Sequence, residues 1–173
     1  MKCWKYIYKT CFHSIKDNFL IWFQYKCINR IISTNLYLYK IKQSETNVCR
    51  LCHEAEESLM HLFVFCPKTL DFWNHLESWL KDKLNITITF NPARIIFGAI
   101  DVITFDKSIN VICITGKYFI FKCARLSRNL NFQDYKKYLE TVYTEQLMLA
   151  RLEMYTDKFL KNWSVLTRIL NSN

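Results

Sequence analysis

CRLCHEAEESLMHLFVFC, residues 49 to 66, places four metal-ligating side chains in one short stretch: Cys49, Cys52, His61 and Cys66, in the pattern C-x2-C-x8-H-x4-C. Two cysteines at this spacing direct both sulfurs at one ion from a tight turn, which Arg50 and Leu51 supply. A histidine and a further cysteine complete a tetrahedral shell. Three thiolates and one imidazole leave no open position for a reactive water, so the pattern reads as one structural Zn²⁺. His53, next to Cys52, is the competing imidazole. His61 is preferred because its distance from Cys66 gives one helical turn or a compact loop between the last two ligands. Pro67 follows at once, where it opens a helix without losing a needed N–H. The plain alternative is a group of ordinary buried thiols beside a core histidine.

Outward from this knuckle the chain reads as helices. From Ser14 on, Phe19, Leu20, Phe23, Cys27, Ile28 and Ile31 form an apolar stripe at helical spacing, with Asp17 in the first turn and Lys16, Lys26 and Arg30 largely off it. Ser33-Thr34-Asn35 breaks that helix and offers capping oxygens to a short second one through Tyr39. Glu54, Glu56 and Glu57 are read as solvated surface, and the apolar run after Ser58 as a short helix carrying His61. Beyond Pro67, Leu70, Trp73, Leu76, Leu80 and Leu84 give an amphipathic helix ended by Asn85. Residues 86–90 alternate like a short strand or an extended linker. Asn91-Pro92 opens another helix, with Gly98 as its stop. Val111, Ile114, Tyr118, Phe121 and Cys123 line the next, whose other face carries Lys117, Lys122, Arg125 and Arg128. Asn131 or Asp134 begins a long helix, and Phe159, Trp163, Leu166 and Leu170 mark the last. The expected fold is mainly α: an irregular helical bundle around a CCHC zinc knuckle, with at most one or two short strands.

The block CRLCHEAEESLMHLFVFCPKTLDFW resembles the zinc-binding segment downstream of the polymerase domain in reverse transcriptases of non-LTR (LINE-type) retrotransposons. YKCINRIISTNLYLYKIK upstream resembles the helix, Thr-Asn turn and second helix that lead into that knuckle. IIFGAID, KYFIFKCAR and DKFLKNW resemble the family's helical tail. The resemblance implies a C-terminal piece of such an enzyme, or a relic or adopted fragment of one. It divides the chain into a basic helical segment over 1–48, the knuckle over 49–66 and a helical tail over 67–173.

Composition narrows the function. Hydrophobic residues make up 51% of the 173, with two glycines and two prolines, which suits long helices joined by short turns rather than disorder. Eight cysteines without a secretory leader fit one metal site plus free thiols better than a disulfide framework, so a reduced intracellular protein, nuclear or cytoplasmic, is expected. No apolar run reaches the about 18 residues of a spanning helix, so no membrane partner is expected. The net charge of +9 is uneven: +6 over 1–48, −2 over 49–90 and +5 over 91–173. Phosphate attraction would therefore come from the flanking helices, with the metal holding them in place. Lys16, Lys26, Arg30, Lys117, Lys122, Arg125 and Arg128 are the candidates for phosphate contact, and Tyr37, Tyr39 and Tyr118 for base stacking.

The sequence carries no recognisable catalytic constellation. There is no Asp-Asp pair for a two-metal polymerase centre, neither proline precedes an acid, and Gly98 and Gly116 lie too far apart for a phosphate loop. A Cys11 and His13 pair would point apart on a helix. The expected function is non-catalytic nucleic-acid binding, RNA or DNA, on a zinc-stabilised scaffold, with no small-molecule substrate. The parent reverse transcriptase or another protein is a further expected partner. A protein-interaction module and a transposon remnant without selected activity are the alternatives.

Overall fold

A computed structural model describes residues 7–8, 13–85, 87–98 and 107–171. The first helix, α1 (Asn18–Ile28), starts where the Asp17 carboxylate accepts the Leu20 amide at 3.0 Å. It ends at Asn29, with Arg30 next in the left-handed region at φ 58°. Thr34 caps α2 (Asn35–Lys40), its hydroxyl accepting from the Tyr37 amide at 3.2 Å. Pro67 occupies the first turn of α3 (Pro67–Leu84), which stops at Asn85 in the left-handed conformation. Asn91 caps α4 (Pro92–Phe97) through the Arg94 amide, and Gly98 at φ 86° ends it. These boundaries follow from cap chemistry that the sequence displays.

Among the described residues four further helices follow: α5 (Ser108–Arg125), α6 (Phe132–Leu152), α7 (Thr156–Asn162) and α8 (Ser164–Asn171). Asn131 opens α6, accepting from the amides of Gln133 and Asp134. α5 is the central element, packed against α1, α4, α6 and α8. Every residue from Ser108 to Lys117 is buried, so its first half is a core helix rather than an amphipathic one. One apolar cluster runs from Ile15 on the N-terminal side through Leu62, Phe63 and Trp73 to Leu166 and Ile169. The fold is thus the expected helical bundle, and the described residues contain no strand. Their one β-bridge pairs Val48 with Glu56 inside the knuckle.

Some local expectations are corrected. Lys117 does not lie on a solvated face: it is fully buried, and its Nζ donates to Gln24 Oε1 and to the Ile96 carbonyl, because α4 covers that side of α5. Phe19 and Leu70, read as inward, are exposed. Residues 87–90 form no strand, and Ile86 lies outside the described residues. Instead the Phe90 ring stacks on Trp73 at 5.1 Å and its amide donates to Glu77. The last helical stretch breaks at Trp163 into α7 and α8. Cys11 and residues 99–101 of the IIFGAID motif also lie outside the described residues.

Helix α5 passes close to α3 at Gly116, where a Cβ would stand 2.8 Å from the Trp73 ring. Alanine has the better helix propensity by about 1 kcal/mol. Overpacking of a filled core costs roughly 1–3 kcal/mol, and the Trp73 indole N–H is tied to the Phe63 carbonyl at 2.8 Å. Gly116→Ala is therefore expected to destabilise the protein by about 1–2 kcal/mol net. A urea melt checks this, and an unchanged or raised midpoint would show that α3 and α5 separate at no cost.

Candidate metal centre

Cys49 and Cys52 lie on the turn that follows α2, while His61 and Cys66 come from the next helical turn. The Cys49 amide donates to the Ala55 carbonyl at 2.7 Å and the His53 amide to the Cys49 carbonyl at 2.9 Å, folding residues 49–55 into a compact loop. Ser58 starts the following turn, its hydroxyl accepting from the His61 amide at 3.0 Å. Residues His61–Phe65 form a π-helical turn, and the Cys66 amide closes it on the His61 carbonyl at 2.8 Å. In an α-helix, side chains five positions apart diverge by about 140°. The wider i→i+5 closure brings Cys66 back beside His61, so the irregular turn is what lets these two donors converge.

The four donor atoms lie within 4.8 Å of one another. Cys49 and Cys66 sulfurs are 4.0 Å apart, and Cys52 Sγ is 3.3 Å from His61 Nε2. A tetrahedral zinc with bonds of about 2.3 Å to sulfur and 2.0 Å to nitrogen needs donor separations of about 3.5–3.8 Å. The donors therefore fit one ion, and a Cys3His set is zinc chemistry. Cys49 and Cys66 are fully buried, and no disulfide joins them. Their hydrogen bond pushes the Cys49 thiol above its ordinary range, reinforced by burial, and pulls Cys66 below its own. Backbone amides of Lys68 and Thr69, in the first turn of α3, further favour the Cys66 thiolate. His53 is exposed at φ 61° and stands outside the cluster.

Glu57 is the member of this centre that sequence reading misplaced. It is fully buried rather than solvated. Its carboxylate accepts the Asn35 amide at 2.8 Å, the Arg50 amide at 2.8 Å and the Arg50 guanidinium through Nε and Nη2. The same guanidinium reaches the Ser33 carbonyl at 3.4 Å. Glu57 also donates its amide to Asn47 and accepts that of Leu36 at its carbonyl. One carboxylate therefore ties the metal loop to the start of α2. The chain presents three glutamates in a row of four positions, and only the fold singles out the one facing Arg50.

The seven basic candidates separate in space. Lys26 and Arg125 line one groove together, and Lys122 and Arg128 line another. Arg30 lies on a third, beside Tyr37 and Lys40. Lys16 pairs with Glu153 and sits over the Tyr155 ring at 4.3 Å, and Glu153 raises its pKa. Lys117 is buried, as described above. Tyr37 and Tyr39 are exposed, whereas Tyr118 is half-buried against Phe19 and Phe23.

These features define a helical bundle that contains a Cys3His cluster of zinc-binding type. Residues 1–73 match the family model described as zinc-binding in reverse transcriptase, which covers the knuckle, α1 and α2 before it and the start of α3. The matched family is the zinc-binding segment of that enzyme and not its catalytic part. No curated protein matches the chain. Among the described residues, no helix is long and apolar enough to cross a membrane.

Proposed function

We propose that this chain is a non-catalytic, zinc-stabilised nucleic-acid-binding segment related to the C-terminal region of a non-LTR retrotransposon reverse transcriptase. The observation that carries this reading is a Cys3His cluster within the matched residues, set between the net-basic segments 1–48 and 91–173. Cys49, Cys52, His61 and Cys66 would hold one structural Zn²⁺, which supplies cross-linking and no reactive water. The work of the remaining residues is positional. Glu57 and Arg50 lock residues 33–35 onto the metal loop, and Thr69 and Trp73 bond the carbonyls of Leu62 and Phe63, fixing α3. The basic flanks are thereby held at set angles for phosphate contact.

Binding carried by these cations releases counterions, so affinity is expected to fall steeply with salt. A slope of log K against log[salt] of about −2 to −3, from three or four phosphate contacts on a single strand, is the expected result. Fluorescence anisotropy of labelled oligonucleotides between about 50 and 200 mM salt measures it. A folded, zinc-loaded chain with no affinity at the low end would overturn the reading. The protein-interaction reading draws support from Met148, Leu152 and Met154, which leave an exposed apolar patch at the end of α6. Salt-insensitive capture of a protein would favour it.

A further inference from the structure

Trp22 is 61% exposed and Phe19 60%, although tryptophan is on average a highly buried residue and Trp73 and Trp163 are buried here. Phe19, Trp22 and Lys26 recur at i, i+3 and i+7 and so share one face of α1. That face borders a groove of about 250 Å³ whose opposite wall carries Arg125, from the last turn of α5, and whose side is closed by Ile31 and Ser33. Each ring meets a neighbour in a T-shaped pair: Phe19 with Tyr118 at 5.1 Å and 81°, Trp22 with Tyr25 at 5.4 Å and 78°. Lys26 and Arg125 are exposed and take no part in either ion pair of the described residues. α1 itself carries no acid, and Asp17, just before it, is engaged in capping the helix.

Ile32 lines this groove and also a neighbouring one of about 300 Å³, which carries Arg30, Tyr37 and Lys40. Cations and exposed rings thus recur in two grooves that share the buried Ile32 in their lining. We propose that the two grooves form a track for single-stranded nucleic acid, with an unpaired base on Trp22, flanking phosphates on Lys26 and Arg125, and the strand continuing past Ile32 toward Arg30 and Tyr37. This rests on the nucleic-acid reading above and adds where the strand lies and that it is unpaired. Bases in a duplex are stacked on each other and offer no face to a ring, whereas an unpaired strand offers one per nucleotide. The track is coupled to the metal loop, because Ser33 in its wall accepts from Arg50.

The test measures affinities of the full zinc-loaded chain for oligo(rU), oligo(dT) and a mixed-sequence duplex. Its variants are Trp22→Ala, Trp22→Phe and the pair Lys26→Glu, Arg125→Glu. The pair Lys158→Glu, Lys161→Glu on α7 serves as a control of equal charge change. Expected are tighter binding of the single strands than of the duplex and a roughly five- to hundredfold loss in Trp22→Ala. Trp22→Phe should retain most of the affinity yet lose the quenching of tryptophan fluorescence on binding. The groove charge reversal should weaken binding about tenfold more than the control pair. A preference between oligo(rU) and oligo(dT) tells RNA from DNA as the occupant. Equal affinities for the groove and control variants, with single strands still bound, would overturn the track and leave the proposed function standing. Preferential binding of an acidic polypeptide, or of the duplex, would also overturn the track. No binding of any nucleic acid by the folded parent would overturn both.

Discussion

Cys49→Ser together with Cys52→Ser is expected to abolish metal binding and to unfold the knuckle, the largest single effect in this protein. Structural zinc supplies on the order of 10 kcal/mol to a site of this kind, comparable to the whole stability of an ordinary domain. Loss would spread beyond the loop. Leu62, Phe63 and Val64 on the π turn are buried in the main cluster, and α3 hangs on that turn through the bonds from Thr69 and Trp73. Circular dichroism should therefore show helix loss and a urea transition that is absent or shifted by several kcal/mol. A variant that melts with its parent would show the sulfurs to be ordinary core thiols.

Glu57→Ala should be the next most damaging change. Removing this carboxylate leaves the Arg50 guanidinium, itself largely buried, and the amides of Asn35 and Arg50 without their acceptor. Breaking a buried ion pair from one side costs about 3–5 kcal/mol, far more than the pair contributes against a well-packed apolar substitute. Glu57→Gln keeps one oxygen and should lose less. Both variants keep all four metal ligands, so zinc should still bind, with lower affinity, because part of its binding energy now goes to ordering the loop. Chelator competition and thermal melting read the two effects separately. An unchanged melting temperature in Glu57→Ala would show that residues 33–35 do not depend on this carboxylate.

Much of the architecture was legible from caps and breakers. Thr34, Pro67, Asn85, Asn91 with Pro92, and Gly98 each mark the boundary found, because their chemistry is local and does not wait for tertiary context, whereas the helix read from Ser14 begins at Asn18, with Asp17 as its cap. The clustering of the four donors was legible for a similar reason, since their spacing encodes the convergence. Burial was less so. Lys117 falls on the apparent polar face of α5, and only the packing of α4 against that helix shows that the face is covered. Glu57 could not be told from Glu54 and Glu56, since facing Arg50 is a property of the folded loop. Phe19 reads as core by its place on the apolar stripe, and its exposure arises because α4 and α5 cover only the other side of α1. The π turn, which brings the donors of His61 and Cys66 together across five positions, is likewise a feature of the folded loop.

The most direct test of the zinc-nucleated bundle is native mass spectrometry of the purified chain, with circular dichroism before and after chelation. One zinc per chain, released by chelator together with helicity and restored on adding metal, is the expected result. A chain that is folded with no zinc bound, and that keeps its helicity in chelator, would contradict the assignment of Cys49, Cys52, His61 and Cys66 as its organising centre.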